Sequence, residues 1–268
     1  MQKFLIRTSR TPRLLPPGRW QRSQRWNDLL LAHWPVPASS LAPLLPSGLQ
    51  VDSFQGTAWL GVMPFWIDRI RVRGAPPLLG AGFPDLGLRT YVREEQTGTR
   101  GLYCLSLDAS NLLAVAAGRA CFHLPYHWAE MRMEQRGERE FSFYSRRRFT
   151  ARPVIFRARY RGLGPTAKLA ENCPGTLEYF LMERDCLFSS NREGQPIRAN
   201  MRQVFSPLEE AEAEIERNDL ASALGIELPR QEPVLHYSRR LAVYVWPAAL
   251  MRPVLVPQPV PAALTPWG

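Results

Sequence analysis

Hydrophobic and polar residues alternate along much of the middle of this chain. In "EFSFYS" the alternation places Phe141 and Phe143 on one face. In "FRARYRG" it separates apolar residues from arginines, with Phe156, Ala158 and Tyr160 on one side and Arg157, Arg159 and Arg161 on the other. A period of two residues is typical of strands with one buried face. These segments therefore predict strands with an apolar inner side and a basic, solvated outer side.

Two further segments predict β-hairpins. "GLQVDSFQGTAWLGVMPFWI" has two extended arms around a turn at residues 52–56, and "GLRTYVREEQTGTRGLYCLSLDAS" has a glycine-containing turn. Arms rich in branched and aromatic residues around such turns are the usual hairpin signature. Many antiparallel strands in one domain predict a barrel or a sandwich, so the fold class is α+β and mainly β.

Helical patterns are fewer. "SNLLAVAAGRACF" predicts a helix with an apolar face and with Ser110 as its N-cap, while Asp108 just before it is expected to help cap it. "TLEYFLMERDCLF" and "RNDLASALGI" are weaker helical segments. Prolines are dense at the C-terminal end, where they oppose regular structure. We expect a disordered tail over residues 1–24, one domain over 25–247 and a proline-rich tail over 248–268.

Composition excludes several classes of protein. No apolar run approaches the roughly 20 residues that a membrane-spanning helix needs. Cys104, Cys121, Cys173 and Cys186 lie far apart with no C-x-x-C spacing, which predicts free thiols in a reducing compartment. The N-terminus has no signal-peptide core, so we expect a cytoplasmic protein.

Motifs for cofactors and metals are also absent from the sequence. The histidines are scattered, and His123 and His127 would share a helix face only if the helix ran through Pro125, which proline opposes. No nucleophile elbow, phosphate-binding loop or dinucleotide fingerprint occurs. We expect neither a metal nor a cofactor.

The net charge is +10, and it comes almost entirely from arginine, because Lys3 and Lys168 are the only lysines. A basic protein could bind nucleic acid, but such binding requires basic side chains gathered on one face within a recognisable module. The arginines here are spread along the chain, which disfavours nucleic acid. The scarcity of lysine also disfavours any lysine-based mechanism.

One stretch resembles a known superfamily. "LDASNLLAVAAGRACFHLPYHWAE", preceded by "LRTYVREEQTGTRGLY", is similar to the signature region of the acetoacetate decarboxylase superfamily, with Gly118, Arg119 and Pro125 at its matching positions. The segments "LLPSGLQVDSFQGTAWLGVMPF", "LPYHWAEM", "LEYFLMERDCLF" and "AEAEIERNDLASALGI" resemble its YqjF-like group more closely. The resemblance covers residues 25–247. It implies an antiparallel cone-shaped barrel with a few short helices around a small-molecule pocket.

The chain departs from the superfamily where the decarboxylases carry their chemistry. Two lysines follow the motif proline in those enzymes and supply a Schiff-base amine and a neighbour that lowers its pKa, which is an established way to activate lysine. Tyr126 and His127 occupy these positions, and neither forms an imine. Lys168 lies in a loop-like segment typical of a solvated lysine. The resemblance therefore implies the pocket without the nucleophile.

Six residues are the candidate site. Tyr126 and His127 are the catalytic candidates, since histidine suits proton transfer near neutral pH, although adjacent strand residues face opposite sides and at most one can point inward. Arg89 on an apolar strand needs a partner if buried. It either pairs with an acid such as Glu183 or binds an anionic ligand. Tyr91 would share its face, and Arg119 either binds backbone carbonyls or assists the pocket.

Two functions follow, with homo-oligomerisation left open. The first is a pocket for a small oxo or carboxylic compound, held by Arg89, Tyr91 and Tyr126, with at most a lyase-like or proton-transfer activity that needs no imine. It requires a cavity of a few hundred Å³ reached by Arg89. The second is a non-catalytic interaction or structural protein, in which the barrel is filled, Arg89 is neutralised and the basic surface meets an acidic partner.

Overall fold

We describe a computed structural model of the chain over residues 16–75, 82–166 and 173–251. The strands of these ranges are β1 (Arg22–Val36), β2 (Leu49–Val51), β3 (Ser53–Phe54), β4 (Thr57–Val72), β5 (Phe83–Glu94), β6 (Arg100–Ala109), β7 (Tyr126–Gln135), β8 (Glu140–Arg147), β9 (Ile155–Pro165), β10 (Cys186–Ser190), β11 (Pro196–Phe205), β12 (Glu209–Asn218) and β13 (Val234–Leu250). The α-helices are α1 (Ala38–Leu41), α2 (Leu112–Phe122) and α3 (Leu177–Met182), with 3-10 turns at Ala42–Leu44 and Ser222–Leu224. The mainly-β class predicted from the alternation is confirmed.

One sheet contains all thirteen described strands. Its order is β11-β10-β6-β7-β8-β9-β12-β13-β1-β4-β5-β2, with β3 paired to β4. Two more pairings, β11 with β13 and β5 with β6, make the sheet close on itself. Most neighbours are antiparallel, whereas β6 runs parallel to both β7 and β10. The parallel pair β6 and β7 is joined by α2, because parallel neighbours need a crossover connection.

The central strands are buried on both faces. Leu29 and Leu31 of β1 pack into one hydrophobic cluster, and Leu30 and Ala32 pack into another. Successive side chains of a strand point to opposite sides, so β1 separates two cores. Such a strand is expected to carry a continuous apolar run, as "LLLAHW" does. The predicted inner faces of β8 and β9 lie in the cluster of Leu30 and Ala32, with Phe143 and Phe156 fully buried.

Several predicted boundaries were wrong by a few residues. β1 begins at Arg22, inside the predicted tail, and β13 runs through Pro247 to Leu250. The first hairpin is shorter than expected, because β2 pairs with β5 and only β3 turns back onto β4. The N-cap of α2 is Asn111 rather than Ser110, since the Asn111 side chain accepts a hydrogen bond from the backbone N–H of Ala114 at 3.0 Å.

Candidate functional site

A buried cavity of about 50 Å³ lies inside the sheet, enclosed by side chains of β1, β4, β5, β6, β7, β10, β11 and β13. Most of its lining is apolar, from residues such as Met63, Phe65, Leu107 and Val243. Its polar lining comes from Arg22, Gln24, Asp85, Arg89, Cys104, Tyr126 and Gln203. The cavity is smaller than the few hundred Å³ expected, but it contains the combination of apolar walls and few polar groups that is typical of ligand sites.

Arg89 is the most unusual residue of the cavity. It is 2% exposed, and its three guanidinium nitrogens have no hydrogen-bonding partner among the described residues. A bulge aims the side chain, because Leu88 pairs with Ser106 and Arg89 with Cys104, which leaves Leu105 without a partner on β5. The Tyr91 ring, whose centroid lies 5.9 Å from the guanidinium carbon, offsets part of the cost of burying this charge. The guanidinium nitrogens still have no hydrogen-bond acceptor among the described residues, so the cavity holds unused hydrogen-bonding capacity.

Asp85 and Tyr126 form a buried pair that lines the same cavity. The Tyr126 hydroxyl donates to Oδ2 of Asp85 at 3.2 Å, and Oδ1 of Asp85 has no partner within the described chain. Burial raises the pKa of the Asp85 carboxyl to about 8, although the Tyr126 hydrogen bond and the Arg22 charge act in the opposite direction. Asp85 is therefore predominantly neutral at neutral pH and can donate a proton.

Arg22 supplies a second cation to the same cavity. Its guanidinium lies over the Phe122 ring at 4.2 Å from the ring centroid, and it is close enough to Asp85 and Tyr126 for their charges to interact. Burial lowers the pKa of Arg22 from its ordinary value, but arginine remains charged in proteins. With Asp85 neutral, the cavity carries two guanidinium charges and no full counter-charge from Asp85.

Of the two adjacent catalytic candidates, only Tyr126 lines the cavity. The parallel register pairs Tyr126 with Leu107, which also lines it, and pairs His127 with Asp108 on the opposite face. Burial and the charges of Arg147 and Arg119 lower the pKa of His127 to about 4. The structure thus separates His127 from the cavity, and a catalytic role for His127 stays a prediction without geometric support.

Tyr91 lies two residues beyond Arg89 but deeper in the core, outside the cavity lining. Its hydroxyl is hydrogen-bonded to Nε2 of His33 at 2.8 Å, and both residues are fully buried. Burial raises the pKa of Tyr91, and burial together with the nearby Arg89 charge lowers that of His33 well below its usual range. His33 is therefore neutral. The Tyr91 hydroxyl is occupied by this hydrogen bond, and a ligand contact of Tyr91 stays a prediction.

Arg119 and Glu183 do not join the cavity lining either. Nε of Arg119 donates to the backbone carbonyl of Tyr126 at 2.6 Å, which ties α2 to the start of β7. The expected pairing of Glu183 with Arg89 is wrong, because no acceptor reaches the Arg89 nitrogens. The buried pair of that region joins Arg184 to Asp52, with Nη1 at 2.6 Å from Oδ2.

Asp108 was expected to cap α2 and instead forms a buried ion pair. Oδ1 of Asp108 accepts from Nε of Arg147 at 2.7 Å, and Oδ2 accepts from the Ser145 hydroxyl at 3.2 Å. A second nitrogen of Arg147 donates to Ser106. This network joins β6 to β8, and the charge of Asp108 contributes to the raised pKa of Asp85.

An apolar groove of about 260 Å³ adjoins the cavity. Its lining comes from β4, the start of β5 and one side of α2: Ile67, Ile70, Val72, Phe83, Leu113, Ala114, Ala117, Gly118 and Phe122, with Arg22, Gln24 and Tyr126 at one end. Arg22, Gln24, Ile67 and Tyr126 line both spaces. The groove and the cavity therefore adjoin each other, with these four side chains as their common wall.

Gly118 is required for the position of the Tyr126 ring. A Cβ atom at residue 118 would lie 2.4 Å from Cδ2 of Tyr126, much closer than van der Waals contact allows. We expect Gly118→Ala to destabilise the protein by about 1–3 kcal/mol in urea unfolding, although alanine favours a helix by up to about 1 kcal/mol. In a Tyr126→Ala background the same change should stabilise the protein. Equal effects in both backgrounds would contradict the contact.

The outer arginines of β9 are neutralised. Arg157, Arg159 and Arg161 face glutamates of β12, as in the 2.6 Å contact of Arg161 with Glu212 and the 3.0 Å contact of Arg159 with Glu214. This surface is an ion-pair network rather than an exposed basic strip. It offers no obvious surface for an acidic partner or for nucleic acid.

Residues 16–75, 82–166 and 173–251 contain neither a candidate metal site nor a candidate membrane-spanning helix. Within these ranges, no three His, Cys, Asp or Glu side chains cluster as a metal site would require. No helix of the same ranges is long and apolar enough to cross a membrane. Lys3 and Lys168 both lie outside the described residues.

Three of the site's polar residues, Arg22, Asp85 and Cys104, were missed from the sequence. Asp85 gives the same signal as Arg89, since it is a charged residue inside an apolar strand. Arg22 fell within the predicted tail, and the thiol of Cys104 is indistinguishable in sequence from any core cysteine. Burial raises the pKa of Cys104 to about 11, so it remains a thiol.

The architecture is that of acetoacetate decarboxylase-like proteins. The acetoacetate decarboxylase of Legionella pneumophila superposes with a TM-score of 0.59 at 12% identity, covering 90% of this chain and 92% of that chain. The enduracididine biosynthesis enzyme MppR in complex with pyruvate superposes with a TM-score of 0.59 at 14% identity, covering 88% and 91%. At such identities the likeness establishes the fold alone.

The chain belongs to the DUF2071 family, described as uncharacterized conserved proteins, which matches residues 23–242. The uncharacterized protein YqjF of Bacillus subtilis (strain 168) is 38% identical over 234 residues, which are 87% of this chain and 93% of that relative. The resemblance to the YqjF-like group is therefore confirmed over most of the chain.

Proposed function

We propose that this protein binds a small oxo or carboxylic anion in the cavity between Arg22, Arg89 and Asp85. The observation that carries the proposal is the buried Arg89 guanidinium, whose three nitrogens have no hydrogen-bonding partner in the described chain. A carboxylate matches the planar guanidinium fork and can accept two parallel hydrogen bonds from it. Such a ligand would remove the cost of the unpaired cation.

The neutral Asp85 gives the cavity a proton donor for the ligand's carbonyl oxygen. An oxo acid anchored by its carboxylate on Arg89 would present its carbonyl to the Asp85 and Tyr126 pair. The proton of the neighbouring carbon passes to a solvent base, the Asp85 proton moves to the carbonyl oxygen to give the enol, and Asp85 recovers its proton when the enol reverts; no imine is required. A buried carboxylic acid kept neutral in this way is a known route to enolate stabilisation. MppR, which shares the fold, is known in complex with pyruvate.

The second candidate is a non-catalytic interaction protein. The small volume of the cavity, about 50 Å³, favours it. The partnerless Arg89 opposes it, since a filled, purely structural interior would be expected to neutralise that charge. The cysteines Cys104, Cys121 and Cys186 form no disulfide among the described residues, which supports a cytoplasmic location.

Ligand binding should depend on the protonation of Asp85. Ionised Asp85 repels an anion, and its pKa of about 8 separates the two states. We expect pyruvate to bind about tenfold more weakly at about pH 9 than at about pH 6 in the wild type. Asp85→Asn, which mimics the neutral acid, should bind equally at both values. Calorimetric titration with pyruvate, 2-oxobutanoate, inorganic phosphate and a neutral diketone measures this.

Exchange of the methyl protons of pyruvate in D₂O, followed by NMR, reports on proton transfer separately from binding. Loss of exchange in Asp85→Asn with retained binding is the expected result. If none of the anions binds the wild type at either pH, the anion pocket is refuted. A pH dependence that persists in Asp85→Asn would assign it to another group.

A further inference from the structure

Helix α2 exposes apolar side chains that a soluble surface helix normally buries. Among its residues, only Val115 and Gly118 are buried, while Leu112 is 57% exposed and Leu113 is 68% exposed. Arg119 is its one charged residue. Surface helices usually carry polar residues on their outer face. Contiguous exposed apolar surface is a common mark of a binding site.

The apolar side of α2 forms one wall of the groove described above. Leu113, Ala114 and Ala117 face Ile70 and Phe83 across it. The groove is about 260 Å³, whereas the polar cavity holds only about 50 Å³. Ligand sites usually span roughly 300–1,000 Å³. The cavity alone is below this range, and the two spaces together approach its lower end.

The two spaces adjoin each other and differ in polarity on the two sides of the side chains that they share. Arg22, Gln24, Ile67 and Tyr126 line both. Beyond Tyr126 on the inner side lie Arg89 and Asp85, and beyond it on the outer side the lining is aliphatic and aromatic. An occupant of the whole site would therefore have a charged end and an apolar end.

We propose that the ligand is an amphipathic oxo acid whose aliphatic chain lies in the groove along α2 while its carboxylate meets Arg89. This inference rests on the anion pocket proposed above and adds the class of compound that it selects. The bare three- or four-carbon acids would fill the inner cavity only. Each methylene added to the ligand's aliphatic chain would move from water into the apolar groove.

A homologous series of straight-chain 2-oxo acids tests the inference. Pyruvate, 2-oxobutanoate, 2-oxohexanoate, 2-oxooctanoate and 2-oxodecanoate differ only in the length of the chain. We expect the Kd from calorimetric titration to fall about fourfold for each added methylene, the value for full burial of a CH₂, until the groove is filled. The affinity should then become independent of length.

Two matched pairs of variants test where the ligand's aliphatic chain lies. Ala117→Trp fills the groove and Ala116→Trp does not, because Ala117 lines it and the exposed Ala116 does not. Leu113→Glu and Leu112→Glu form the second pair, with Leu113 in the lining and Leu112 outside it. Both leucines are exposed, so these variants should fold. Ala117→Trp and Leu113→Glu should reduce the Kd ratio of 2-oxobutanoate to 2-oxooctanoate severalfold. The control variants Ala116→Trp and Leu112→Glu should leave this ratio unchanged.

The outcomes separate this inference from the anion pocket. If pyruvate binding requires Arg89 but affinity does not increase along the series, the groove does not hold an aliphatic chain. The proposal of the anion pocket is then retained. If affinity increases along the series equally in both variants of each matched pair, the inference is also contradicted, because the ligand's aliphatic chain would then lie outside the groove. A dimer seen by light scattering that Ala117→Trp dissociates would assign the groove to a second copy. If no acid of the series binds, the pocket and the chain fail together.

Discussion

Replacing Arg89 with methionine should abolish anion binding and at the same time stabilise the fold. Methionine keeps the length and most of the volume of the side chain while removing a buried charge that has no hydrogen-bonding partner among the described residues. Replacing buried charged groups with apolar residues of similar size commonly stabilises proteins by about 1–4 kcal/mol. Loss of a buried charge that pairs with a ligand costs about 2–5 kcal/mol of binding, which is about 30-fold or more in Kd.

Arg89→Met is expected to increase stability and to decrease anion affinity, and these opposite changes make the experiment decisive. A residue retained for function at the expense of stability behaves in this way. Urea unfolding of the free protein gives the stability, and calorimetric titration with pyruvate gives the binding. If Arg89→Met is strongly destabilised, Arg89 has a structural partner and the anion pocket loses its main support. Arg89→Lys is the charge control, because it keeps the cation and loses the planar fork.

Arg184→Met should destabilise the protein by about 3–5 kcal/mol, because it leaves a buried carboxylate without its partner. Arg184 and Asp52 are 1% and 2% exposed and lie 2.6 Å apart. The next cation, Arg100, contacts Asp52 at 3.5 Å from a half-exposed position and compensates only in part. The expected result is the reverse of that for Arg89, although both arginines are buried in the same core.

The matching control for the ion pair is the double variant Asp52→Asn with Arg184→Met. With the carboxylate removed, most of the lost stability should return, as a double-mutant cycle in urea unfolding would measure. Pyruvate binding should be unchanged in both variants when they are folded, since neither Asp52 nor Arg184 lines the cavity. A cycle in which the two effects simply add would indicate that the pair is not coupled.

Comparison of Arg89 and Arg184 also defines how far the sequence could assign the site. Both are arginines in apolar segments, and the sequence permitted pairing for either. Only the fold brings Asp52 to Arg184, which lies 132 residues away. The sequence identified Arg89 as a cation that, if buried, would either pair with an acid such as Glu183 or bind an anionic ligand, and the described residues provide no hydrogen-bonding partner for it.

The predictions that succeeded depend on local physics. The alternation of β8 and β9 requires one buried face whatever the neighbouring strand is, and the resemblance to the YqjF-like group rests on segments spread over most of the chain. The hairpin of β5 and β6 follows from its own turn. Boundaries were less accurate, because the first residues of β1 and the last of β13 are held by pairing with distant strands rather than by their own propensity.

The sequence by itself determined the mainly-β class, the family likeness, the scarcity of lysine and the presence of charged residues in apolar strands. The tertiary structure decided which of these residues meet. A change of one residue in register reverses the face of every side chain on a strand, so only the pairing of β6 with β7 puts Tyr126 inside and His127 outside. The elevated pKa of Asp85 likewise arises from burial, which is a property of the closed sheet and of no local segment.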